Sequence, residues 1–318
     1  ENRINISDVL RDPARNYCKV LTSLYGWEFF SLADHLKPFI ETSRGDINKM
    51  QGRVIRFKYF DRLYFTLFWL ATGLEYYQME FFFGWSKSTW ECEIQHILKA
   101  IIRGLDHFLN WPSVEERKLM EIQHGGIFRG CIGIIDAMEH IITKPKNRSL
   151  ESSTYSKKKG ANTLKTMAVI DRRGRFRFVQ TGTHGSINDR DQFTSSVLYL
   201  NKNLYFEGEQ FLAADGIYRG DGPILVSYNA SQLSQSIGSG LDDFNISFTE
   251  YRKGIENAFG RVQNWFPLLG NQKCKWNLQH YTLDLAVHAS ARLHNWLMHI
   301  RDLNYDPTID PSYLFTSN

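Results

Sequence analysis

CIGIIDAME, residues 131–139, is an unbroken apolar run that meets its first charge at Asp136. Apolar runs of this length read as strands buried on both faces of a sheet. FLAADGIY (211–218) repeats the pattern and meets its acid at Asp215. A carboxylate at the carboxyl end of a buried strand sits at the sheet rim. Further strands are expected at TMAVI (166–170), RFRFVQ (175–180) and PILVSY (223–228). Asp171-Arg172-Arg173-Gly174 suits a hairpin between the second and third, with glycine at the left-handed position. GTHGSINDRDQF opens a helix expected to run to about Tyr199. The fold class is therefore α/β, with a five-stranded mixed sheet and flanking helices.

A long helix supplies the third acid. In SFTEYRKGIENAFGRVQNWFPLL (247–269), Ser247 and Glu250 fit a capping box. Tyr251, Ile255, Phe259, Val262 and Phe266 form one buried stripe, and Pro267 ends the pattern. Arg252, Glu256 and Gln263 share a narrow arc of the other face. Two strand-end aspartates and one helix glutamate can converge on hard divalent cations. Mg²⁺ takes oxygen ligands and few protein carboxylates, and substrate phosphate completes its shell. Such a set suits two-metal phosphoryl transfer. Taken singly, Asp136 also reads as a solvated turn aspartate, and Arg252 as an i, i+4 partner of Glu256.

Bulk properties narrow the class. The 318 residues are 42% hydrophobic and 14% aromatic, which makes the chain globular, and the net charge is only +4. The charge is uneven: residues 143–178 hold eleven Lys/Arg against Glu151 and Asp171. Nucleic-acid binders show charge as patches. Within that stretch Lys157, Lys158, Lys159 and Lys165 are the expected phosphate contacts; a charge run is otherwise a solvated face. Cys18, Cys92, Cys131 and Cys274 lie far apart, which implies neither disulfides nor zinc and suits a reduced compartment. The apolar stretch 64–74 is too short to span a membrane, and no signal peptide is read. His280, His288, His294 and His299 read as packing residues, because no cysteine or carboxylate cluster joins them.

Residues 1–128 read as a helical domain, with segments at 12–23, 29–41, 58–72, 75–83, 87–109 and 114–124 and breaks at Gly26, Gly45, Gly73, Gly84 and Pro112. Residues 129–318 read as the sheet domain with a C-terminal helix (276–300). LATGLEYYQMEFFFGWSKSTWECEIQHIL has a helix-turn-helix-like shape, turning at Gly84-Trp85 with Ser86 as cap. It would present Lys87, Ser88 and Thr89, and also Glu91, to DNA. The plainer account is a helical hairpin with an aromatic seam. Residues 229–245, rich in Ser, Gly and Gln, read as a mobile loop.

In order along the chain stand IGIIDAMEHIITKP, TYSKKKGANTLKT, GTHGSINDRDQF, FLAADGIYRG, RKGIENAFGRVQNWFPLL and ASARLHNWL. This series resembles the DDE transposases of the PIF/Harbinger type over roughly residues 30–300. The resemblance implies an RNase H-like catalytic domain with a metal triad at Asp136, Asp215 and Glu256. Asp189 matches an aspartate of the family's Gly-Ser-x-x-Asp motif. It is read as an accessory or capping residue, because it precedes a helix, and Glu139 as another accessory group. Two departures stand out: Ala137 replaces a common glycine, and Gln263 stands where relatives carry a lysine. The resemblance further implies two Mg²⁺ or Mn²⁺ ions and cutting of double-stranded DNA at terminal inverted repeats. It implies joining of the 3′ ends to target DNA, a Myb/SANT-like DNA-binding partner, a homo-oligomer on DNA, and nuclear action. A domesticated DNA-binding or scaffold protein is the alternative, and a nuclease for RNA–DNA hybrids a third reading.

Overall fold

The computed structural model describes residues 17–42, 57–123, 128–220, 222–235, 240–270, 276 and 280–301. Outside them fall residues 12–16 of the first expected helix, the break at Gly45, residues 236–239 of the expected loop, Cys274, and 277–279 of the last expected helix. The chain divides into two compact units. One contains Glu1–Phe108, Val262–Cys274 and Tyr281–Asn318; the other contains Leu109–Arg261 and Lys275–His280.

The described part of the first unit is built of helices: α1 (Tyr17–Thr22), α2 (Gly26–Thr42), α3 (Tyr59–Thr72), α4 (Tyr76–Phe83) and α5 (Lys87–Gly104), with a 3₁₀ turn at Asp106–Phe108. Gly84 ends α4 in the left-handed conformation at φ 79°. Ser86 then caps α5 by accepting from the Thr89 N–H. Phe65, Phe83, Trp85 and Trp90 form the aromatic seam beneath this turn; Trp85 and Trp90 lie 4.7 Å apart. Arg62 and Glu93 are paired in the interior. The last helix, His280–Arg301, returns to this unit: Arg292 reaches Asp106 and Arg301 reaches Glu28.

The second unit is a mixed α/β layer structure. Its elements run α6 (Val114–Gln123), β1 (Cys131–Ile141), α7 (Arg148–Thr154), β2 (Tyr155–Ser156), β3 (Ala161–Ile170), β4 (Phe176–His184), α8 (Asp189–Thr194), α9 (Val197–Leu200), α10 (Lys202–Tyr205), β5 (Phe211–Ala213), β6 (Ile224–Leu225), α11 (Ala230–Ser234) and α12 (Leu241–Trp265). The sheet order is β2-β3-β1-β5-β6, and β4 pairs with β3 on the side away from β1. β3 is antiparallel to both β1 and β4; β1, β5 and β6 are parallel. This arrangement fits an RNase H-like domain. The buried residues Ile132, Ile135, Met167, Val169, Leu212 and Phe193 form its core on one face.

Four expectations are corrected. The sheet has six strands, not five, because Tyr155 and Ser156 pair with Asn162 and Ala161 around a tight turn. Gly160 closes that turn at φ 62°, which side chains disfavour. The helix opened by Asp189 stops at Thr194, and Ser196 caps a new short helix, so it does not run unbroken to Tyr199. The long helix starts at Leu241, six residues before the apparent Ser247 cap, with Asp242 and Asp243 in its first turn. The expected mobile loop therefore contains α11 and the first turn of α12. Pro267 does end the helix pattern, in a 3₁₀ turn.

Candidate active site

The register of the parallel β1–β5 pair places two aspartates side by side. Ile134 is paired with Ala213, the last rung. Two residues on along each chain stand Asp136 and Asp215. β1 continues to Ile141, so Asp136 lies within a strand that outruns its parallel neighbour. Asp215 is the exposed N-cap of the 3₁₀ turn Gly216–Tyr218 and accepts from the Ile217 N–H at 3.4 Å.

Helix α12 reaches this rim because it can lie close to the sheet. At Gly254 a Cβ would stand 3.2 Å from Ile134 Cδ1, so a glycine lets the helix backbone approach β1. Two residues earlier, the Arg252 guanidinium is 3.6 Å from Asp136 Oδ2. Asp136 Oδ1 accepts from the Ala137 N–H at 2.8 Å. Burial pushes the Asp136 carboxyl above its ordinary pKa. The Ala137 N–H and Arg252 pull it down, and the neighbouring Asp189 and Asp215 push it up.

Asp189 therefore belongs to the same cluster, which its place before a helix did not suggest. It is the first residue of α8, where the helix dipole favours a carboxylate. Asn188 is the cap, accepting from the Asp191 N–H. Asp189 is held by Lys165 Nζ at 2.8 Å. Lys165, expected at DNA, is buried on β3 and directs its charge at this aspartate. Glu139 faces Lys165 in the β1–β3 register and accepts from the Thr163 hydroxyl at 2.8 Å.

Glu256 lies one turn beyond Arg252 on α12 and is exposed. It is not among the charges acting on Asp136. Among the described residues, no group of three or more His, Cys, Asp or Glu side chains lies close enough to hold a metal. The structure thus joins Asp136, Asp189, Asp215 and Arg252, and leaves Glu256 on the adjoining helix face.

The other expected contacts are scattered. Lys157, Lys158 and Lys159 are exposed at the tip of the β2–β3 hairpin. Lys87 is exposed and Thr89 half-buried at the start of α5. Gln263 is half-buried, with its side chain packed under Gly270. Much of the basic excess is neutralised internally: Arg175 and Arg177 both pair with buried Asp171, and Lys144 pairs with Glu151.

No helix of the described residues is long and apolar enough to cross a membrane. The DDE superfamily endonuclease family matches residues 135–295, from the strand that carries Asp136 to the last helix. A protein of Bos taurus named "Putative nuclease HARBI1" is 22% identical over 232 residues, covering 72% of this chain. The chain spans 64% of that relative's length. No solved structure matches. The match runs over half of the chain and contains every member of the acid cluster, so the chain belongs to the DDE superfamily endonucleases.

Proposed function

We propose that this protein is a divalent-cation-dependent DNA endonuclease of the transposase type, acting on double-stranded DNA. The observation that carries the reading is the closeness of Asp136, inside β1, to Asp215, just past the end of β5, with Asp189 near them.

The donor set suits Mg²⁺ or Mn²⁺. It consists of carboxylate oxygens, and crowding of like charges at a partly buried Asp136 is relieved by a cation. Mg²⁺ takes one or two protein carboxylates, while water and phosphate oxygens fill the rest of its shell. Asp136 and Asp215 would hold the cations, two by family resemblance, with Glu256 brought in from α12. When bound, they neutralise charge at the scissile phosphate and activate water.

The chain's own residues orient the substrate. Arg252, now 3.6 Å from Asp136, is placed to receive a phosphate oxygen at the same rim. Lys157, Lys158 and Lys159 sit on the hairpin that projects from β3 and would track the DNA backbone. Lys87 and Thr89 at the start of α5 would add contacts if α4 and α5 act as a helix-turn-helix. Gln263 would donate a hydrogen bond where relatives place a charge. Cutting at terminal inverted repeats, joining of 3′ ends to target DNA, a Myb/SANT-like partner, a homo-oligomer on DNA and nuclear action complete the reading.

One observation favours a domesticated DNA-binding protein: Arg252 faces Asp136 while Glu256 stands apart from the cluster. A single experiment separates the two. Wild type and Asp215→Ala are incubated with terminal-repeat DNA and Mg²⁺ or Mn²⁺. The nuclease reading expects nicking by wild type alone; equal nicking by both proteins, or none by wild type, rejects it.

A further inference from the structure

The 3₁₀ turn that follows Asp215 buries a tyrosine beneath the acid cluster. Tyr218 is fully buried. Its backbone N–H donates to the Asp215 carbonyl at 3.0 Å. Its ring stands edge-on to Phe193, with centroids 6.1 Å apart. Phe193 belongs to α8, the helix that begins with Asp189. Tyr218 is thus wedged between the turn carrying one aspartate and the helix carrying another.

Among the described residues, the Tyr218 hydroxyl has no hydrogen-bond partner. It lies within electrostatic range of Asp189, Asp136, Asp215 and Arg252 at once. A buried hydroxyl without a partner lowers stability, whereas phenylalanine of the same shape would not. Packing therefore does not explain the oxygen. A state in which the hydroxyl finds an acceptor does, and the three carboxylates whose charges it feels are the candidates.

We propose that Tyr218 is a positioning residue whose hydroxyl donates to a carboxylate oxygen of this cluster once a divalent cation draws Asp136 and Asp215 together. The inference rests on the cation-dependent reading above. Donors of this kind fix the orientation of metal-binding carboxylates, and their loss weakens metal affinity by about 10–100-fold. In the cation-free protein the oxygen is unpaired, so its removal has no hydrogen bond to break.

The test compares the full chain with Tyr218→Phe. Mn²⁺ binding is measured by titration calorimetry, and thermal unfolding is measured in chelator. The expected result is a Mn²⁺ affinity lower by about 10–100-fold, with a melting temperature in chelator equal to or above that of wild type. Nicking by Tyr218→Phe should return to the wild-type rate at saturating Mn²⁺. Equal Mn²⁺ affinity in the two proteins overturns the proposal. So does a lower melting temperature of the variant in chelator, which would show that the hydroxyl is already bonded at rest. A rate that stays low at saturating Mn²⁺ also overturns it, because the hydroxyl would then act in the chemistry itself. Wild type that binds no Mn²⁺ sinks the cation reading first, so the two failures are distinct.

Discussion

Asp171 and Asp136 both stand near the carboxyl end of β3, Asp136 facing Ala168 three residues before Asp171, and they are treated differently. Asp171 follows the last residue of β3 and is buried. It accepts from the backbone N–H groups of Arg173 and Arg175 and from the Nε of Arg175 and Arg177, all at 2.9–3.0 Å. Asp136 has one backbone N–H and an arginine at 3.6 Å, with Asp189 and Asp215 as like-charged neighbours. Glu28 in the first unit resembles Asp171: it is fully buried and bonded by Arg301 and the Tyr25 N–H. A saturated carboxylate has no lone pair to offer a ligand. An undersaturated one among like charges does. The contrast marks Asp136, and not the nearby Asp171, as the working carboxylate.

The sharpest way to break the comparison is to remove one saturated acid and one undersaturated acid. Asp215→Ala should abolish Mn²⁺-dependent nicking and shift stability by about 1 kcal/mol or less, the scale of a lost cap. Asp171→Ala should leave Arg175 and Arg177 without their shared carboxylate and cost about 3–5 kcal/mol, the usual result of breaking a buried ion pair. Urea unfolding and a nicking assay read both. Loss of nicking at equal stability in Asp171→Ala would erase the distinction.

Lys165→Met tests whether Lys165 keeps Asp189 partly saturated. Loss of the 2.8 Å charged hydrogen bond should lower cation-free stability by about 1.5–3 kcal/mol. Mn²⁺ affinity should rise, because the lysine no longer competes for the carboxylate. An affinity that falls would assign Lys165 to substrate binding instead.

Replacing Lys157, Lys158 and Lys159 with alanine should leave unfolding unchanged, since all three are exposed. The slope of log DNA affinity against log salt should flatten by about 0.9 for each phosphate that the lysines no longer neutralise. An unchanged slope would make the hairpin tip a solvated face.

The smallest effect is in pH. The raised pKa of Asp136 means that the folded state binds its proton more tightly than the unfolded state does. Its contribution to cation-free stability is therefore greatest below the ordinary carboxylate pKa. That contribution declines as pH rises from there through the raised folded value. Asp136→Asn should flatten this part of the stability profile, measured by urea midpoints from about pH 4 to 7. A profile as steep as wild type would show that the cluster does not load Asp136.

Local pattern carried the reading where partners follow from periodicity. The apolar runs of β1 and β3 and the stripe of α12 announce burial by composition alone, and a first charge after an apolar run announces a rim. Asp136 and Asp215 were legible for that reason. The two-residue strand β2 was not, because its pairing depends on the turn at Gly160, not on any apolar period. The start of α12 was misread because Ser247 and Glu250 satisfy a local cap rule that the tertiary structure overrides. Asp189 was judged by the helix it precedes, and nothing local reveals that this helix packs against the turn carrying Tyr218.

The amino-acid sequence by itself determined which residues are buried in strands, which acids close those runs, and the family to which their order belongs. Only the tertiary structure decided that Lys165 holds Asp189, that Arg252 faces Asp136, and that the Tyr218 hydroxyl is buried without a partner. Burial follows from the local frequency of apolar side chains. The pairing of a charge depends on register between strands and on how close a helix can come, and both are set by contacts far apart in the chain.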